Sequence, residues 1–328
     1  MVNTAAKANS LKKCFEKYGS FLISYGGLIF CLVLFTIATP LFGESIWSPE
    51  KIATLMSNMI VTALMSVGAV FIYAMGNLDI SIGKQIGLYA TIMVVLGNAT
   101  GSLLLPIVIC LALSVLIAIV NGGAGPLFNI ISIIPSVVVM QVLGGIITMI
   151  FATLGTRSVS LHTIDYSIFK SPVLMFVVLL IEVVAARLIF NYTRIGKYAK
   201  ALGENKTAAI QSGVDLLKYR ILGYMCAGVC FVLAALFQMG YTGSASDSTG
   251  TGFEMNIMVA LILGGMPISG GVRSKISAAI LGSLTFSLLA VGLPMIGLPT
   301  RMTFIIKAAI FLAVVLITSR KKGGTLPK

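Results

Sequence analysis

The segment IATLMSNMIVTALMSVGAVFIYAM, residues 52–75, carries no charged side chain over its 24 residues. An apolar helix of about 20 residues is long enough to cross the hydrocarbon layer of a membrane. The chain continues directly into GNLDISIG, residues 76–83, where a single acid lies between glycines. The long apolar run followed by a short polar break predicts a membrane-spanning helix and then a turn.

The rest of the 328-residue chain repeats this pattern. Its residues are 58% hydrophobic and only 10% charged, and the mean hydropathy is +1.03. Soluble domains carry about 25% charged residues, so the composition excludes an ordinary soluble enzyme and a disordered protein. Helices are expected because lipid offers no partner to unpaired backbone groups. Ten transmembrane helices are predicted, over residues 21–41, 52–75, 80–96, 103–120, 131–154, 173–190, 221–240, 255–268, 276–293 and 302–319.

The predicted fold class is therefore an all-α integral membrane protein with about ten transmembrane helices, some of them broken or shortened. The segments between the spans are too short for a folded soluble domain, so residues 1–328 form a single transmembrane domain. The first apolar run is about as long as a full span and lacks a clear small-residue cleavage site after it. We interpret it as a retained helix.

The net charge of +13 is distributed unevenly along the chain. With ten spans and a cytoplasmic amino terminus, four of the 23 Lys and Arg residues fall on the outside: Lys51, Arg157, Lys170 and Arg301. Lys307 falls within the last span, and the remaining 18 fall on the inside. This excess follows the positive-inside rule, so the charge sets topology, both termini are predicted to be cytoplasmic, and no nucleic-acid partner is expected.

The longest inside loop, residues 191–220, reads NYTRIGKYAKALGENKTAAIQSGVDLLKYR. Its alanines favour helix, and Gly203 and Gly213 interrupt it. We predict two short helices, over residues 197–202 and 206–212, with a turn at 203–205. A solvated connector and a docking element for a cytoplasmic partner are the two interpretations of this loop.

Two glycine-rich breaks stand out from the other loops. GNLDISIG (76–83) places Asp79 between apolar spans, and GGMPISGG (264–271) interrupts a span that is already short. Shortened, glycine-interrupted segments in corresponding halves of a chain are typical of a transport site. In the second break we expect four glycines to pack a broken helix against the core: Gly264, Gly265, Gly270 and Gly271.

The chain lacks the motifs of most catalytic chemistry. It has no GxxxxGK[ST] phosphate loop, no HExxH and no CxxC, and its single histidine, His162, lies in a predicted outside loop. Of the ionisable groups inside predicted spans, Glu182 lies mid-span and is expected to pair with Arg187 or Lys307, with a transport role as the alternative.

Four motifs in order resemble one family, the permeases of sugar-type ATP-binding-cassette importers (the ribose, xylose and galactoside group), which are related to branched-chain amino-acid permeases. GNLDISIG is similar to its G-x-I-D-L-S-x-G signature. Asn121–Gly122 with Ile134–Pro135–Ser136 resembles its N-G…I-P-P-F segment. RIGKYAKALGENKTAAIQSG (194–213) and GTGFEMNIMVALILGGMPISGG (250–271) match its cytoplasmic loop and its later glycine-rich motif. The resemblance covers residue 52 to the end.

The resemblance implies a permease subunit in a bacterial plasma membrane. Its expected partners are a second permease chain (identical or paralogous), cytoplasmic ATPase subunits, an extracytoplasmic solute-binding protein and the lipid bilayer. No cofactor is expected in this chain, because ATP and Mg²⁺ belong to the partner ATPase.

The same resemblance and the polar residues of the first break give two sets of candidate residues. Those expected to line the pathway of a small polar solute, a sugar or a related compound, are Asn77, Asp79, Ser81, Asn121 and Gln141. Those expected to couple to the ATPase are Gly196, Ala201, Gly203, Asn205, Ala208, Ala209, Ser212 and Gly213.

Alternatives remain open at this point. Asp79 is expected either to cap the third span, by accepting backbone N–H groups, or to contact the solute directly. The chain as a whole is either an importer subunit or a secondary transporter without an ATPase partner, and a membrane enzyme or scaffold is the third class. The sequence names no solute.

Overall fold

The computed structural model describes residues 25–312, except 44, 300, 301, 304, 307 and 311. Within this part of the chain the helices are α1 (Tyr25–Leu41), α2 (Pro49–Tyr73), α3 (Ile82–Thr100), α4 (Leu104–Phe128), α5 (Ile133–Thr153), α6 (Pro172–Tyr192), α7 (Arg194–Glu204), α8 (Lys206–Gln211), α9 (Leu216–Thr242), α10 (Phe253–Leu263) and α11 (Ile276–Met295). A 3₁₀ turn covers Ser167–Lys170. Beyond α11, helical residues resume at Met302.

Six of the described helices are long and apolar enough to cross a membrane: α2, α4, α5, α6, α9 and α11. A helix lies at each of the first nine predicted spans. Most of the tenth, residues 302–319, falls outside the described residues. The two short helices predicted between residues 191 and 220 are present as α7 and α8, although α7 runs on to Glu204.

Local chemistry sets the ends of these helices. Pro49 and Pro172 occupy first-turn positions, where the missing N–H costs nothing. The Asn205 side chain accepts the Ala208 amide at 3.0 Å, so one residue both ends α7 and caps α8. This cap replaces the three-residue turn predicted at 203–205. Asp215 caps α9 in the same way, through the Lys218 amide.

Two helices end elsewhere than the sequence pattern predicts. α4 continues to Phe128 instead of stopping near residue 120, so Asn121 and Gly122 lie inside a helix. α10 stops at Leu263, because Gly265 adopts φ +84° two residues later. With 11 residues α10 is about 16 Å long, roughly half the thickness of the hydrocarbon layer.

The core forms where α9 packs against α2, α3 and α4. Glycines bring these helices close together. A Cβ on Gly68 of α2 would meet the Cys230 Cβ of α9 at 2.7 Å, and one on Gly122 of α4 would meet the Ile221 Cα at 2.9 Å. Close backbone approach through small residues is typical of helix packing in membranes, where lipid removes the hydrophobic drive between helices.

A two-stranded antiparallel sheet joins distant parts of the chain at the other end of α3 from Asp79. Strand β1 (Ser158–Ser160) pairs with β2 (Ser244–Ser246), with Val159 opposite Ala245. The Asn98 amide near the end of α3 donates to the Ser160 carbonyl at 2.8 Å. The sheet therefore ties the segment after α5 to the segment after α9.

Candidate functional site

Asp79 lies at the centre of a buried polar cluster just before α3. Its Oδ1 accepts the Ser81 backbone amide at 2.8 Å and the Ser81 hydroxyl at 2.6 Å. Asp79 is 1% exposed and Ser81 is fully buried. The carboxylate thus folds back on the chain two residues later, which orders the turn that starts α3.

Two amides complete this group, which we call the Asp79 cluster: Asp79, Ser81, Gln85 and Asn121. Asn121 Nδ2 donates to Ser81 Oγ at 2.9 Å and to Asp79 Oδ2 at 3.3 Å. Gln85 Nε2 donates to Ser81 Oγ at 2.8 Å, and lies 3.5 Å from Asp79 Oδ2. All four side chains are buried. The cluster joins the loop before α3 to the interior of α4.

The cluster lies inside the helix bundle. Asn121 comes seven residues before the end of α4, about 10 Å along the helix axis. The Ile80 amide donates to Ser136 Oγ in the first turn of α5 at 3.3 Å. The loop after α2 therefore lies between α4 and α5 before α3 begins.

Glycines fit the start of α3 against the turn that precedes α10. A Cβ on Gly83 would overlap the Gly250 carbonyl and the Glu254 carboxylate, and one on Gly87 would overlap the Thr249 carbonyl. Lys84 Nζ donates to Thr251 Oγ1 at 3.0 Å. The amino-terminal ends of α3 and of the short α10 thus meet within the bundle, an arrangement typical of discontinuous transporter helices.

The other two residues predicted to line the pathway lie apart from the Asp79 cluster. Asn77 is half-buried, and its Oδ1 accepts the Ser132 hydroxyl at 2.5 Å. Gln141 lies on the exposed side of α5. The structure therefore brings together Asp79, Ser81 and Asn121 of the predicted set and adds Gln85, which the sequence analysis missed. Its position one helical turn after Ser81 was the available signal.

A second arrangement, the glycine junction, is formed by Ala74, Gly203, Gly270 and Gly271. The Gly271 amide donates to the Ala74 carbonyl at 2.9 Å. A Cβ on Gly203 would overlap that same carbonyl, and one on Gly270 would overlap the Tyr73 carbonyl. The end of α7, the end of α2 and the loop after α10 therefore touch through backbone alone.

One side chain reinforces the glycine junction. Glu204, the last residue of α7, accepts the Val272 backbone amide through Oε2 at 3.0 Å. Gly76 follows the junction along the chain with φ +72°, and a Cβ there would lie 3.2 Å from the Ser269 carbonyl. The two glycine-rich breaks, residues 76–83 and 264–271, thus contact one another. Gly264 acts elsewhere, because a Cβ on it would overlap the Ala278 carbonyl of α11.

The residues predicted to couple to an ATPase divide by exposure. Gly196 and Ala209 are buried, and a Cβ on Gly196 would overlap the Phe190 carbonyl. Ala201 and Gly203 are partly buried. The residues on the exposed side are Asn205, Ala208, Ser212 and Gly213. One side of the α7–α8 pair is therefore packed on the bundle, and the other is exposed.

The expected pairing of Glu182 with Arg187 is wrong. Glu182 is buried with the Cys230 thiol of α9 beside its carboxylate, and Arg187 is exposed. Five residues along a helix turn the side chain about 140° away, which explains the difference. The side chain of Lys307, the other expected partner, lies outside the described residues. No cluster of three His, Cys, Asp or Glu suited to a metal occurs in the part of the chain described here.

The geometry permits a conformational role. Neutral donors and acceptors around one carboxylate are suited to hydrogen-bonding a polyhydroxylated solute. The glycine junction connects the loop of the Asp79 cluster to helices with an exposed side. A displacement of α7 would be transmitted by backbone contacts to the end of α2 and then to Asp79.

Comparisons with known proteins identify the family of the chain. The sequence model of the family described as "Branched-chain amino acid transport system / permease component" matches residues 51–315. The ribose import permease protein of Escherichia coli K12 is 27% identical, over 92% of this chain and 96% of its own length. The galactose/methyl galactoside import permease protein of the same organism is 27% identical, over 94% and 97%. The ribose import permease protein of Bacillus subtilis 168 is 23% identical, over 94% of each chain. No solved structure matches.

Proposed function

This chain belongs to the family of permease components of the branched-chain amino acid transport system, and on that premise we propose that it forms the membrane pathway of an ATP-binding-cassette importer for a sugar. It is a multi-pass protein of the bacterial inner membrane. The relatives named above import ribose and galactose or methyl galactoside. A sugar or a related polyol is accordingly the proposed solute.

The glycine junction is the observation that carries the proposal. Gly203 of α7 lies against the Ala74 carbonyl, and that carbonyl also accepts the Gly271 amide. Backbone contacts without intervening side chains are stiff, so α7 cannot shift without moving the end of α2. A permease whose movement is driven by separate ATPase subunits needs such a rigid connection between its docking helices and its solute pathway.

In the proposed mechanism, cytoplasmic ATPase subunits bind the exposed side of α7 and α8, around Ala208 and Ser212. ATP and Mg²⁺ are held by those subunits, which supply the free energy of hydrolysis. Their closure moves α7, and the glycine junction passes the movement to the loop 76–83. The bundle then changes between two packings, one open to each side of the membrane.

The Asp79 cluster borders the proposed pathway. In the described packing Asp79 has both oxygens bonded and is 1% exposed, so its first role is to order the turn that precedes α3. Movement of the loop 76–83 exposes its acceptors, and Asn77 and Gln141 supply further polar groups along the route. An extracytoplasmic binding protein delivers the solute, so affinity at this site is low.

The assembly contains two permease chains, identical or paralogous, embedded in lipid. Each has about ten spans with both termini in the cytoplasm, which places the basic loop 191–220 on the side of the ATPase. This chain itself performs no hydrolysis.

Reconstitution tests the proposal. The full chain is placed in proteoliposomes with its ATPase subunits and binding protein, and uptake of ribose and galactose is measured with ATP or with a non-hydrolysable analogue. We expect uptake only with hydrolysable ATP. Uptake that follows an ion gradient without the ATPase would instead identify a secondary transporter, and absence of flux for every sugar would reject the solute class.

A further inference from the structure

A cavity of about 220 Å³ lies between the helix ends near the glycine junction. It is bounded by the end of α2, the turn between α4 and α5, and the helices α7, α8 and α9. Ten residues line it: Met75, Asn77, Asn129, Ile130, Ile131, Ser132, Leu202, Lys206, Leu216 and Arg220. None of the four residues of the Asp79 cluster lines it, although Asn77 of the loop 76–83 does.

Arg220 is the buried charge of this cavity. Its side chain is 3% exposed, and its Nη2 donates to Ser132 Oγ at 2.8 Å. The Tyr224 hydroxyl, one turn later on α9, also interacts with the guanidinium, but no carboxylate pairs with it within the described part of the chain. A buried cation without a counter-charge is costly, so an arginine held in this way points to an anion that the protein itself does not supply.

The surrounding residues hold the guanidinium in place. A Cβ on Gly125 of α4 would lie 2.5 Å from Arg220 Nη1 and Nη2, so only glycine leaves room for the side chain there. Ser132 donates its hydroxyl proton to Asn77 Oδ1, which leaves its oxygen to accept from Arg220. The orientation of the arginine is therefore set before any ligand binds.

The lining has a net positive charge and one apolar wall. Lys206 at the start of α8 adds a second cation, and none of the ten lining residues is acidic. Among the apolar lining residues Ile131 is 74% exposed, and Phe128, three residues earlier at the end of α4, is 72% exposed. Exposed apolar side chains beside a basic cavity at the end of a helix bundle fit a ligand with an anionic head and a hydrocarbon chain.

We propose that this cavity binds the headgroup phosphate of an anionic phospholipid from the cytoplasmic leaflet. The phosphate oxygens accept from Arg220 and Lys206, and an acyl chain lies along Ile131 and Phe128. A free phosphate compound shares the anionic chemistry but gains nothing from the apolar wall. Because the cavity also contacts Leu202 of α7, the bound lipid stabilises the docking helix in the described position.

Lipid binding to the full-length chain in a neutral detergent tests the proposal. Native mass spectrometry with phosphatidylglycerol, and with phosphatidylcholine for comparison, gives the affinity of each. We expect phosphatidylglycerol to bind more tightly, and Lys206→Gln and Arg220→Gln each to weaken it by about fivefold. Lys218→Gln is the matched control, because Lys218 is an exposed cation of the same loop that does not line the cavity.

Each other outcome overturns the proposal. Equal affinity for the two lipids would show that the cavity does not select an anionic headgroup. A loss of phosphatidylglycerol affinity in Lys218→Gln equal to that in Lys206→Gln would show that binding does not depend on this cavity. Displacement of phosphatidylglycerol by millimolar inorganic phosphate identifies a soluble phosphate ligand. Lys206→Gln that weakens ATPase binding but leaves phosphatidylglycerol binding unchanged identifies an acidic side chain of the ATPase as the occupant. Because Lys206 is exposed, its variant remains informative even if Arg220→Gln fails to fold.

Discussion

At the scale of single residues, Asp79 and Gly203 have opposite kinds of importance. Asp79 acts through its acceptors, since its two oxygens receive hydrogen bonds from Ser81, Asn121 and Gln85. Gly203 acts through the absence of a side chain, since a Cβ there would occupy the position of the Ala74 carbonyl. Substitutions at the two positions should therefore fail in different ways.

For Asp79 we compare Asp79→Asn with Asp79→Ala. An asparagine oxygen still accepts the Ser81 amide, so Asp79→Asn should give folded, assembled protein while sugar uptake falls. Alanine leaves several buried donors without an acceptor, at about 1–3 kcal/mol for each, so Asp79→Ala should lose folded protein. Size-exclusion profiles and uptake assays in proteoliposomes distinguish the two.

The pathway role of Asp79 depends on the asparagine variant. If Asp79→Asn transports as well as the unmodified chain and only Asp79→Ala loses folded protein, Asp79 is a helix cap and nothing more. The ATPase rate of the assembled complex should stay unchanged in Asp79→Asn, because the glycine junction is intact.

At Gly203, the change to valine should uncouple transport from hydrolysis. The added side chain displaces the end of α2 or the loop after α10, at a cost on the order of 1–3 kcal/mol. We expect ATP hydrolysis to continue while uptake falls by about tenfold or more. Gly26→Val is the control, since a Cβ on Gly26 meets nothing within 4 Å. Normal uptake in Gly203→Val would show that the glycine junction does not transmit the movement of α7.

At this scale the sequence identified three of the four residues of the Asp79 cluster, but not the contacts that join them. Asp79 and Ser81 are two residues apart, so their contact follows from a local turn. Asn121 was expected to follow a span, yet it meets Ser81 from inside α4, 40 residues along the chain. For Glu182 a predicted contact is absent. A carboxylate within a span suggests a charged partner, but the spacing of five residues to Arg187 places the two side chains on different sides of the helix.

At the scale of elements, the short helix α10 depends on its crossing with α11. A Cβ on Gly282 of α11 would overlap the Ala260 carbonyl of α10, and one on Gly264 would overlap the Ala278 carbonyl. Two reciprocal glycines therefore hold a helix too short to cross the membrane by itself. The prediction that Gly264 packs a broken helix against the core concerns this contact.

Gly282→Val should consequently destabilise the whole bundle. The valine side chain enters the space of the Ala260 backbone, and overpacking of this kind costs about 1–3 kcal/mol. We expect a lower midpoint in a thermal aggregation assay of the detergent-solubilised chain. Gly145→Val should leave the midpoint unchanged, since Gly145 lies on the exposed side of α5 with nothing near its Cβ position. Equal midpoints for the two variants would contradict the α10–α11 contact.

The element boundaries were predictable where chemistry is local. The start of α8 at residue 206 was predicted and follows the cap residue Asn205, whereas α9 begins after Asp215, five residues before the predicted span at 221. The contact between the two glycine-rich breaks was not predictable, because it joins Gly76 to Ser269 across almost 200 residues and uses backbone atoms. Backbone-to-backbone contacts leave no trace in hydrophobic periodicity beyond the glycines themselves.

At the scale of the whole molecule, the distribution of charge predicts which end faces the cytoplasm. The exposed, basic α7–α8 pair lies at one end of the bundle, and the β1–β2 sheet lies at the other. Single cysteines introduced at Ser212 and Ser167, both exposed, test this orientation in a cysteine-free background. A membrane-impermeant maleimide applied to intact cells should label Ser167→Cys and not Ser212→Cys. The reverse pattern would invert the proposed topology and the placement of the ATPase.

The small sheet has a mechanical consequence for how the bundle opens. Three residue pairs clamp the segment after α5 to the segment after α9, and the Leu161 amide extends the clamp by donating to the Gly243 carbonyl at 2.8 Å. At the opposite end, the proposed movement involves α7, the glycine junction and the loop 76–83. The clamp restrains the separation of the two segments that it joins, so an opening at the sheet end would require the remaining helices to move around a fixed pair of strands. A binding protein that docks at the sheet end would then meet the same paired strands in both packings.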